Sequence, residues 1–581
     1  MPYNKQKRGY TMDRISSSEA FVETLVAQGV TDVFGIVGSA YMDALDLFEP
    51  AGIRFISVAH EQNAAHMADG YSRVTGRHGV CIAQNGPGVT NFVTGIAAAY
   101  WAHSPVVAIT PESGSAGTGL GGFQETDQMP IFSKITKFQV HVNRPDRIAE
   151  LTSHAFDIAL AEHGPVQVNI PRDYFYAEFD AKLPVPRRFA GPAGAPHSLD
   201  DAADLLAAAK FPVIVAGGGV VVAKADEALV QLAELLSAPV VTSYLHNDAF
   251  PAGHHLSLGP LGYQGSKAAM AIIAQADVVL ALGSRLGPFG TLPQYGIDYW
   301  PAGARVIQVD TDLRAIGLVK QVAVGIQADA RLAAEALYDR LQKRALSALA
   351  TRDGRLAEVA RQKQAWRAEL AGQSYADGSP ISPRRALAEL EKALPARSMV
   401  STDIGNICSV ANSYLNFDQS PSFLAPMSFG NCGYAFPAAI GAKVARPDRP
   451  AFAYVGDGAW GMSLAEVLTV VREQIPIVAV VFNNGQWGAE KKNQIDYYDS
   501  RFPGTDLKNP SFAGIARAMG ADGTTVSEPG EIGDALRAAS ASGRPTVLEV
   551  MVNQELGDPF RRDALRKPTR LLPKYANYTV K

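Results

Sequence analysis

A chain of 581 residues is too long for one hydrophobic core and is expected to divide into two to four domains, with three fitting the length best. Apolar residues make up 47% and charged residues 19%, an ordinary globular balance, and a formal net charge of -4 offers no global field for nucleic acid or an acidic membrane, so small ligands are the expected partners. The three cysteines, Cys81, Cys408 and Cys432, are too few for a disulfide framework and have no zinc spacing; the basic, polar N-terminus does not read as a secretory signal, and no transmembrane-length apolar run appears, so a cytoplasmic location is expected.

Short β-branched runs alternate with Ala/Leu-rich stretches of helical period along almost the whole chain. Strands are predicted at 79–84, 105–110, 165–170, 212–217, 277–283, 305–310, 452–457 and 476–483. These runs are apolar throughout rather than alternating, which implies sheets covered on both faces; the predicted fold class is α/β with repeated parallel-sheet domains. Two punctuations divide the pattern: the Pro/Gly/Ala-rich linker 181–198, and a charged helical stretch within 340–383 that ends in the breaker-rich "YADGSPISP". Domains at 12–185, 195–345 and 375–581 follow.

In the last domain the strand of "AFAYVGDGAWG" ends at Asp457, and "MSLAEVLTVVREQ" (462–474) has the apolar spacing of a helix. The next strand ends at "NNGQWG" (483–488), so Asp457 and Asn484 close successive strands of one β-α-β unit. A right-handed parallel crossover brings both to the carboxyl edge of the sheet, where open α/β sheets bind ligands. A carboxylate, an amide oxygen and a main-chain carbonyl form an all-oxygen set suited to Mg²⁺ carrying phosphate oxygens. A plain Gly-Asp-Gly turn is the simpler reading of Asp457 alone, but the matching Asn pair at the next strand end favours a shared ion.

"GDGAWGMS" followed by "VVFNNGQWG" resembles the diphosphate motif of thiamine-diphosphate enzymes. "HEQNAAHMADGYSRVTG" (60–76), "QNGPGVTN" (84–91) and "GGFQETDQMPIFSKITK" (121–137) are similar to the pyrimidine-binding domain of the acetolactate synthase and pyruvate oxidase superfamily. The resemblance covers essentially the whole chain, in order. It implies thiamine diphosphate with Mg²⁺ held by Asp457, Asn484 and the Gln486 carbonyl, diphosphate contacts along Gly458, Ala459 and Asn406, and Glu61 as the catalytic glutamate that hydrogen-bonds the pyrimidine. Gln124 matches a glutamine near the reacting atoms, with Phe123 beside it; His60 and His66 flank the glutamate. "GNCGYAFPAAIGA" (430–442) sets Gly430 and Cys432 where the family supports the cofactor, Cys432 replacing a bulkier apolar residue; Ile407 stands where acetolactate synthases usually have histidine.

The middle domain carries "VIVAGGGVVV" (213–222), whose consecutive glycines lack the later glycine of a dinucleotide fingerprint, so FAD is not expected. Segments 259–270, 284–301, 483–507 and 555–572 resemble the sulfoacetaldehyde acetyltransferase family, which implies sulfoacetaldehyde and phosphate as substrates, acetyl phosphate and sulfite as products, and a place in sulfonate metabolism such as taurine degradation. Two anionic substrates call for fixed cations; Lys491, Lys492, Arg501, Arg561, Arg562, Arg566 and Lys567 are the basic residues of the relevant segments, with Lys491, Arg501, Arg561 and Arg562 as candidate anion binders. An acetolactate-synthase-like carboligase, or another 2-oxo acid decarboxylating enzyme, is the alternative. The resemblance further implies a homodimer or homotetramer, with sites formed between chains.

Overall fold

The computed structural model describes residues 13–375, 378–555, 557 and 565–580. They form two compact units, divided between Phe189 and Ala190. No helix among the described residues is long and apolar enough to cross a membrane.

The first unit contains strands β1 (Asp13–Ser16), β2 (Asp32–Gly35), β3 (Arg54–Ser57), β4 (Gly79–Ile82), β5 (Val106–Glu112), β6 (Phe138–His141), β7 (Val166–Pro171) and β8 (Glu178–Ala181). Strands β1 and β8 pair antiparallel, and the other six make a parallel sheet in the order β3-β2-β4-β5-β7-β6. Val80, Ile82, Val107, Ile109, Val168 and Ile170 share a core with Phe21, Leu25 and Phe156 of the helices Ser17–Ala27 and Ile148–Ala161. The helix Glu61–Thr75 packs on β4 and on the helix Val93–Ala102. Strands covered on both faces explain the continuous apolar runs. The chain steps outward from β2 to β3 and returns to β4 on the other side of β2, which opens a switch point between β2 and β4.

The second unit holds two more parallel sheets. Strands β9 (Pro212–Ala216), β10 (Val240–Thr242), β11 (Ser257–Pro260), β12 (Val278–Leu282), β13 (Arg305–Asp310) and β14 (Val324–Gln327) lie in the order β11-β10-β9-β12-β13-β14. Strands β15 (Met399–Thr402), β16 (Phe423–Leu424), β17 (Ala451–Gly456), β18 (Val478–Asn483), β19 (Asp522–Val526) and β20 (Thr546–Met551) lie in the order β16-β15-β17-β18-β20-β19. Their switch points fall between β9 and β12 and between β15 and β17. Buried polar contacts tie the two sheets together. Asn247 Nδ2 donates to the carbonyls of Asn412 (3.1 Å) and Leu415 (2.9 Å), and Asp248 Oδ2 accepts from Ser422 N (2.8 Å) and Phe423 N (3.0 Å).

All eight predicted strands are present. The charged stretch before 383 is a helix, Arg352–Gln373, which inserts Val359 and Trp366 into the core beside β9 and β12 and buries Arg355 against the carbonyls of Ser237, Lys210, Leu236 and Ala348. The helix predicted over 462–474 is corrected. A helical turn spans Asp457–Trp460 and the helix proper only Glu466–Arg472. Between them Met462 N bonds Ala459 O (3.1 Å) and Ser463 N bonds Trp460 O (3.0 Å), three-residue turns that follow from the low helix propensity of Gly458 and Gly461.

Candidate active site

In the first unit the switch point is edged by polar side chains. Glu61 opens its helix behind His60, whose Nδ1 accepts from Gln62 N (3.2 Å) and so serves as the N-cap. Asn91 Nδ2 donates to Glu61 Oε2 (2.9 Å), and a Cβ built on Gly88 would stand 3.1 Å from Glu61 Oε1, so the glycine leaves room beside the carboxylate. Tyr41 is buried with its hydroxyl on Ile36 O (2.5 Å); burial, and then the charge of Glu61, push its phenol up. His66 is wholly buried, and burial lowers its imidazole to about 3, which makes it a neutral core residue.

Gln84 organises the neighbouring loop. Its Oε1 accepts from Ala40 N (2.9 Å), its Nε2 donates to Gln124 Oε1 (2.9 Å), and Asn85 Nδ2 donates to Gln124 O (2.9 Å). Gln124 sits at φ 60, in the left-handed region that costs a residue with a side chain, so the polar clamp holds a strained backbone in place. Phe123 beside it is 86% exposed.

At the carboxyl edge of the third sheet, β17 and β18 are adjacent and parallel, with Gly456 opposite Phe482. Asp457 and Asn484 therefore stand side by side. Asp457 Oδ2 accepts from Asn484 N (3.2 Å), Gly485 N (2.7 Å) and Asn509 Nδ2 (2.8 Å), while Oδ1 takes Gly458 N (2.9 Å). Burial raises this carboxyl despite those donors. Trp487 N donates to Thr505 O (2.9 Å) and Leu507 N to Gly485 O (2.7 Å), an antiparallel bridge in which Gln486 and Asp506 face each other without exchanging bonds. The pairing leaves the main-chain carbonyl of Gln486 directed away from its neighbour strand.

The side-chain oxygen and nitrogen of both Asn484 and Gln486 are buried and have no hydrogen-bond partner among the described residues. Buried orphaned polar atoms are costly, and four of them beside one carboxylate mark a place built for a polar ligand. A Cβ on Gly458 would meet the Trp487 ring at 2.7 Å, so the backbone at this turn approaches its surroundings as only glycine permits. A hard cation bearing phosphate oxygens fits this donor set. No group of three His, Cys, Asp or Glu side chains suited to a metal occurs among the described residues.

Asn406 begins the helix Asn406–Tyr414 after β15; its Oδ1 accepts from Tyr263 OH (3.1 Å), and its Nδ2 is buried without a partner among the described residues. Gly430 (φ 67) and Cys432 belong to the turn before the helix Ala435–Ala445. Burial, then the charges of Asp403 and Glu490, push the Cys432 thiol up to about 12, which favours the protonated thiol over the thiolate at neutral pH. A cleft of about 430 Å³ is lined by Trp487, Glu490, Gln494, Pro503, Gly504 and Thr505.

Sequence reading missed two residues. Asp403, at the end of β15, is 1% exposed and accepts from Ile404 N (3.1 Å), Gly433 N (3.1 Å) and Ala435 N (2.9 Å), pinning the Cys432 turn to the strand. Its signal was an acidic residue closing an apolar strand in "VSTDIG", as Asp457 does in "YVGDG". Asn509 lies 52 positions beyond Asp457 and had no local signal. The candidate anion binders are already engaged where described. Lys491 Nζ pairs with Asp506 Oδ1 (2.7 Å), and Arg501 bonds Asp499 (3.4 Å) and Tyr578 O (3.3 Å); Arg561 and Arg562 lie outside the described residues.

Three family models match in order: the thiamine pyrophosphate enzyme N-terminal TPP binding domain at residues 15–131, the central domain at 199–337, and the C-terminal TPP binding domain at 403–550. The chain belongs to the thiamine diphosphate enzymes. The C-terminal TPP binding match spans Asp457, Asn484 and Gln486, and the N-terminal one spans Glu61 and Gln124. Among thiamine diphosphate enzymes, the chain is 58% identical to a sulfoacetaldehyde acetyltransferase of Alcaligenes xylosoxydans xylosoxydans, over 97% of this chain and 98% of that one. It is also 58% identical to the sulfoacetaldehyde acetyltransferase of Castellaniella defragrans, over 98% of both. A probable acetolactate synthase large subunit of Methanocaldococcus jannaschii is 33% identical over 96% of each chain.

Proposed function

We propose that this thiamine diphosphate enzyme is an acyltransferase that converts sulfoacetaldehyde and phosphate to acetyl phosphate and sulfite. The observation that carries the reading is 58% identity over nearly the full length to two sulfoacetaldehyde acetyltransferases, against 33% to an acetolactate synthase subunit. The overall reaction is balanced without an outside oxidant. The carbon-sulfur bond breaks with its electron pair leaving as sulfite, the methyl carbon gains a proton, and the aldehyde carbon loses one as it rises to the acyl level. No step calls for a flavin.

Thiamine diphosphate supplies, when bound, a carbon nucleophile for the substrate carbonyl. Asp457, Asn484 and the Gln486 carbonyl are proposed to hold Mg²⁺, with the diphosphate along Gly458, Ala459 and Asn406 and the Gly430–Cys432 turn as cofactor support. The orphaned amide groups of Asn484 and Gln486 and the open lone pair of Asp457 Oδ1 support that assignment. Glu61 is proposed to hold or release a proton toward the pyrimidine, with Asn91 fixing Oε2 so that Oε1 faces the space beside Gly88. Gln124, clamped by Gln84 and Asn85, is proposed to face the reacting atoms. Domains 12–185, 195–345 and 375–581, a cytoplasmic homodimer or homotetramer, and phosphate or sulfonate binding by Lys491, Arg501, Arg561 or Arg562 belong to the same proposal.

Protein supplied with thiamine diphosphate, Mg²⁺ and sulfoacetaldehyde, with and without phosphate, is assayed for sulfite and acetyl phosphate. Matched, phosphate-dependent formation of both is the expected result. Neither product, with acetolactate and CO2 formed from pyruvate, would replace the proposal with the carboligase.

A further inference from the structure

We propose that Asn509 is a positioning residue for the metal-binding carboxylate of Asp457, its amide held in one orientation by the pair Asn483 and Glu549; the inference rests on the reading of Asp457 as the Mg²⁺ ligand. Glu549, on β20, is 2% exposed and accepts from Asn483 Nδ2 (2.9 Å), Ser511 Oγ (3.0 Å), Ala513 N (3.2 Å) and Thr525 Oγ1 (3.1 Å). Burial alone would raise this carboxyl, but the donors from Asn483, Ala513, Phe512 and Ser511 together outweigh it and hold Glu549 below its ordinary value. An ionised carboxylate only accepts. Asn483 must therefore turn its NH2 toward Glu549, which directs its own Oδ1 the other way.

That oxygen accepts from Asn509 Nδ2 at 3.0 Å, and the same nitrogen donates to Asp457 Oδ2 at 2.8 Å. With the Asn509 amide reversed, its oxygen would face both the Asn483 oxygen and the Asp457 carboxylate with no proton between them. The acceptor-only ends of the chain thus dictate that Asn509 presents N–H to Asp457. Asp457 Oδ2 is then occupied by three donors, and Oδ1, with Gly458 N as its one donor among the described residues, is the oxygen left for a cation.

A purely structural role, anchoring the loop before Pro510, is poorly matched to the contacts. That loop is already tied down by Trp487 N to Thr505 O (2.9 Å) and Leu507 N to Gly485 O (2.7 Å). Partners of metal ligands of this kind shift metal affinity about 10–100-fold when removed.

The test is the Mg²⁺ dissociation constant of the full-length protein with saturating thiamine diphosphate, by calorimetry, for wild type, Asn509→Ala and Asp457→Asn, beside the thermal midpoint of each metal-free protein. Asn509→Ala is expected to weaken Mg²⁺ binding about 10–100-fold with an unchanged metal-free midpoint. Unchanged Mg²⁺ affinity in Asn509→Ala overturns the positioning role, as does a weakening accompanied by an equally clear drop in the metal-free midpoint. Asp457→Asn separates the two readings: if it too binds Mg²⁺ like wild type, the metal site itself is misassigned, whereas a loss there alone leaves the site standing and removes only Asn509.

Discussion

Glu61 owes its position to a helix start: the side chain is half-buried, and among the described residues it accepts a hydrogen bond from the neutral amide of Asn91. Glu61→Gln keeps that bond's geometry but cannot exchange a proton. It is expected to lower turnover by about 10²–10⁴-fold with little change in the thermal midpoint, a split read by steady-state kinetics beside a melt. Gly458 makes the opposite kind of case. Alanine there drives a methyl into the Trp487 ring at 2.7 Å, and overpacking of this sort costs about 1–3 kcal/mol. Gly458→Ala should lower stability by that amount in denaturant unfolding, and adding Trp487→Leu should recover much of the loss, because the two residues share one contact.

Elements rather than single residues explain why three sheets of the same kind differ at their switch points. Beyond β15 and β17 the strand ends carry Asp403 and Asp457, and Asn406 Nδ2 and the Asn484 side-chain amide are buried without a partner among the described residues. Between β9 and β12 the backbone itself closes the gap: Gly219 N donates to Gly283 O (2.9 Å), and a Cβ on Gly219 would lie 2.6 Å from Gly283 Cα. The consecutive glycines of the middle sheet thus serve close strand-end packing, and purified protein is expected to show no flavin absorbance. Asp403 links two elements, the end of β15 and the start of the helix Ala435–Ala445. Burial pushes its carboxyl from 3.8 up to about 6 against the N–H groups of Ala435, Ile404 and Gly433. A raised folded-state value means the folded protein binds the proton more tightly. The contribution is therefore complete below the unfolded value and lost as pH rises through about 6. At about 1.4 kcal/mol per pH unit, Asp403→Asn should flatten wild type's decline in stability across that window, seen as the difference between their unfolding free energies.

Across the whole molecule, the proposed pyrimidine-side residues lie in one compact unit and the proposed diphosphate-side residues in the other. If the two halves of each site come from different chains, as the proposed homo-oligomer implies, a mixture of Glu61→Gln and Asp457→Asn proteins, refolded or exchanged together, should regain activity that neither has alone. Sedimentation of the wild type is expected to give a dimer or tetramer. Removing Mg²⁺ with a chelator should lower the thermal midpoint of the cofactor-loaded protein, because a ligand that binds only the folded state stabilises it by mass action.

What the amino-acid order determined by itself was whatever depends on neighbours along the chain. Continuous apolar runs announced buried parallel strands, and all eight appear; Asp457 and Asn484 could be paired because each closes a strand and successive parallel strands align their carboxyl ends. The helix after Asp457 was misjudged because apolar spacing does not register how two glycines tighten its first turn. Tertiary structure alone decided the rest. Asn509 reaches Asp457 from 52 positions away, Glu549 sets an amide on another strand, Asp403 grips a turn 30 residues later, and Lys491 and Arg501 prove to have partners of their own. Periodicity reports which face of an element is buried; which polar atom meets which across a folded edge depends on contacts between segments distant in sequence, and only the packed chain brings those together.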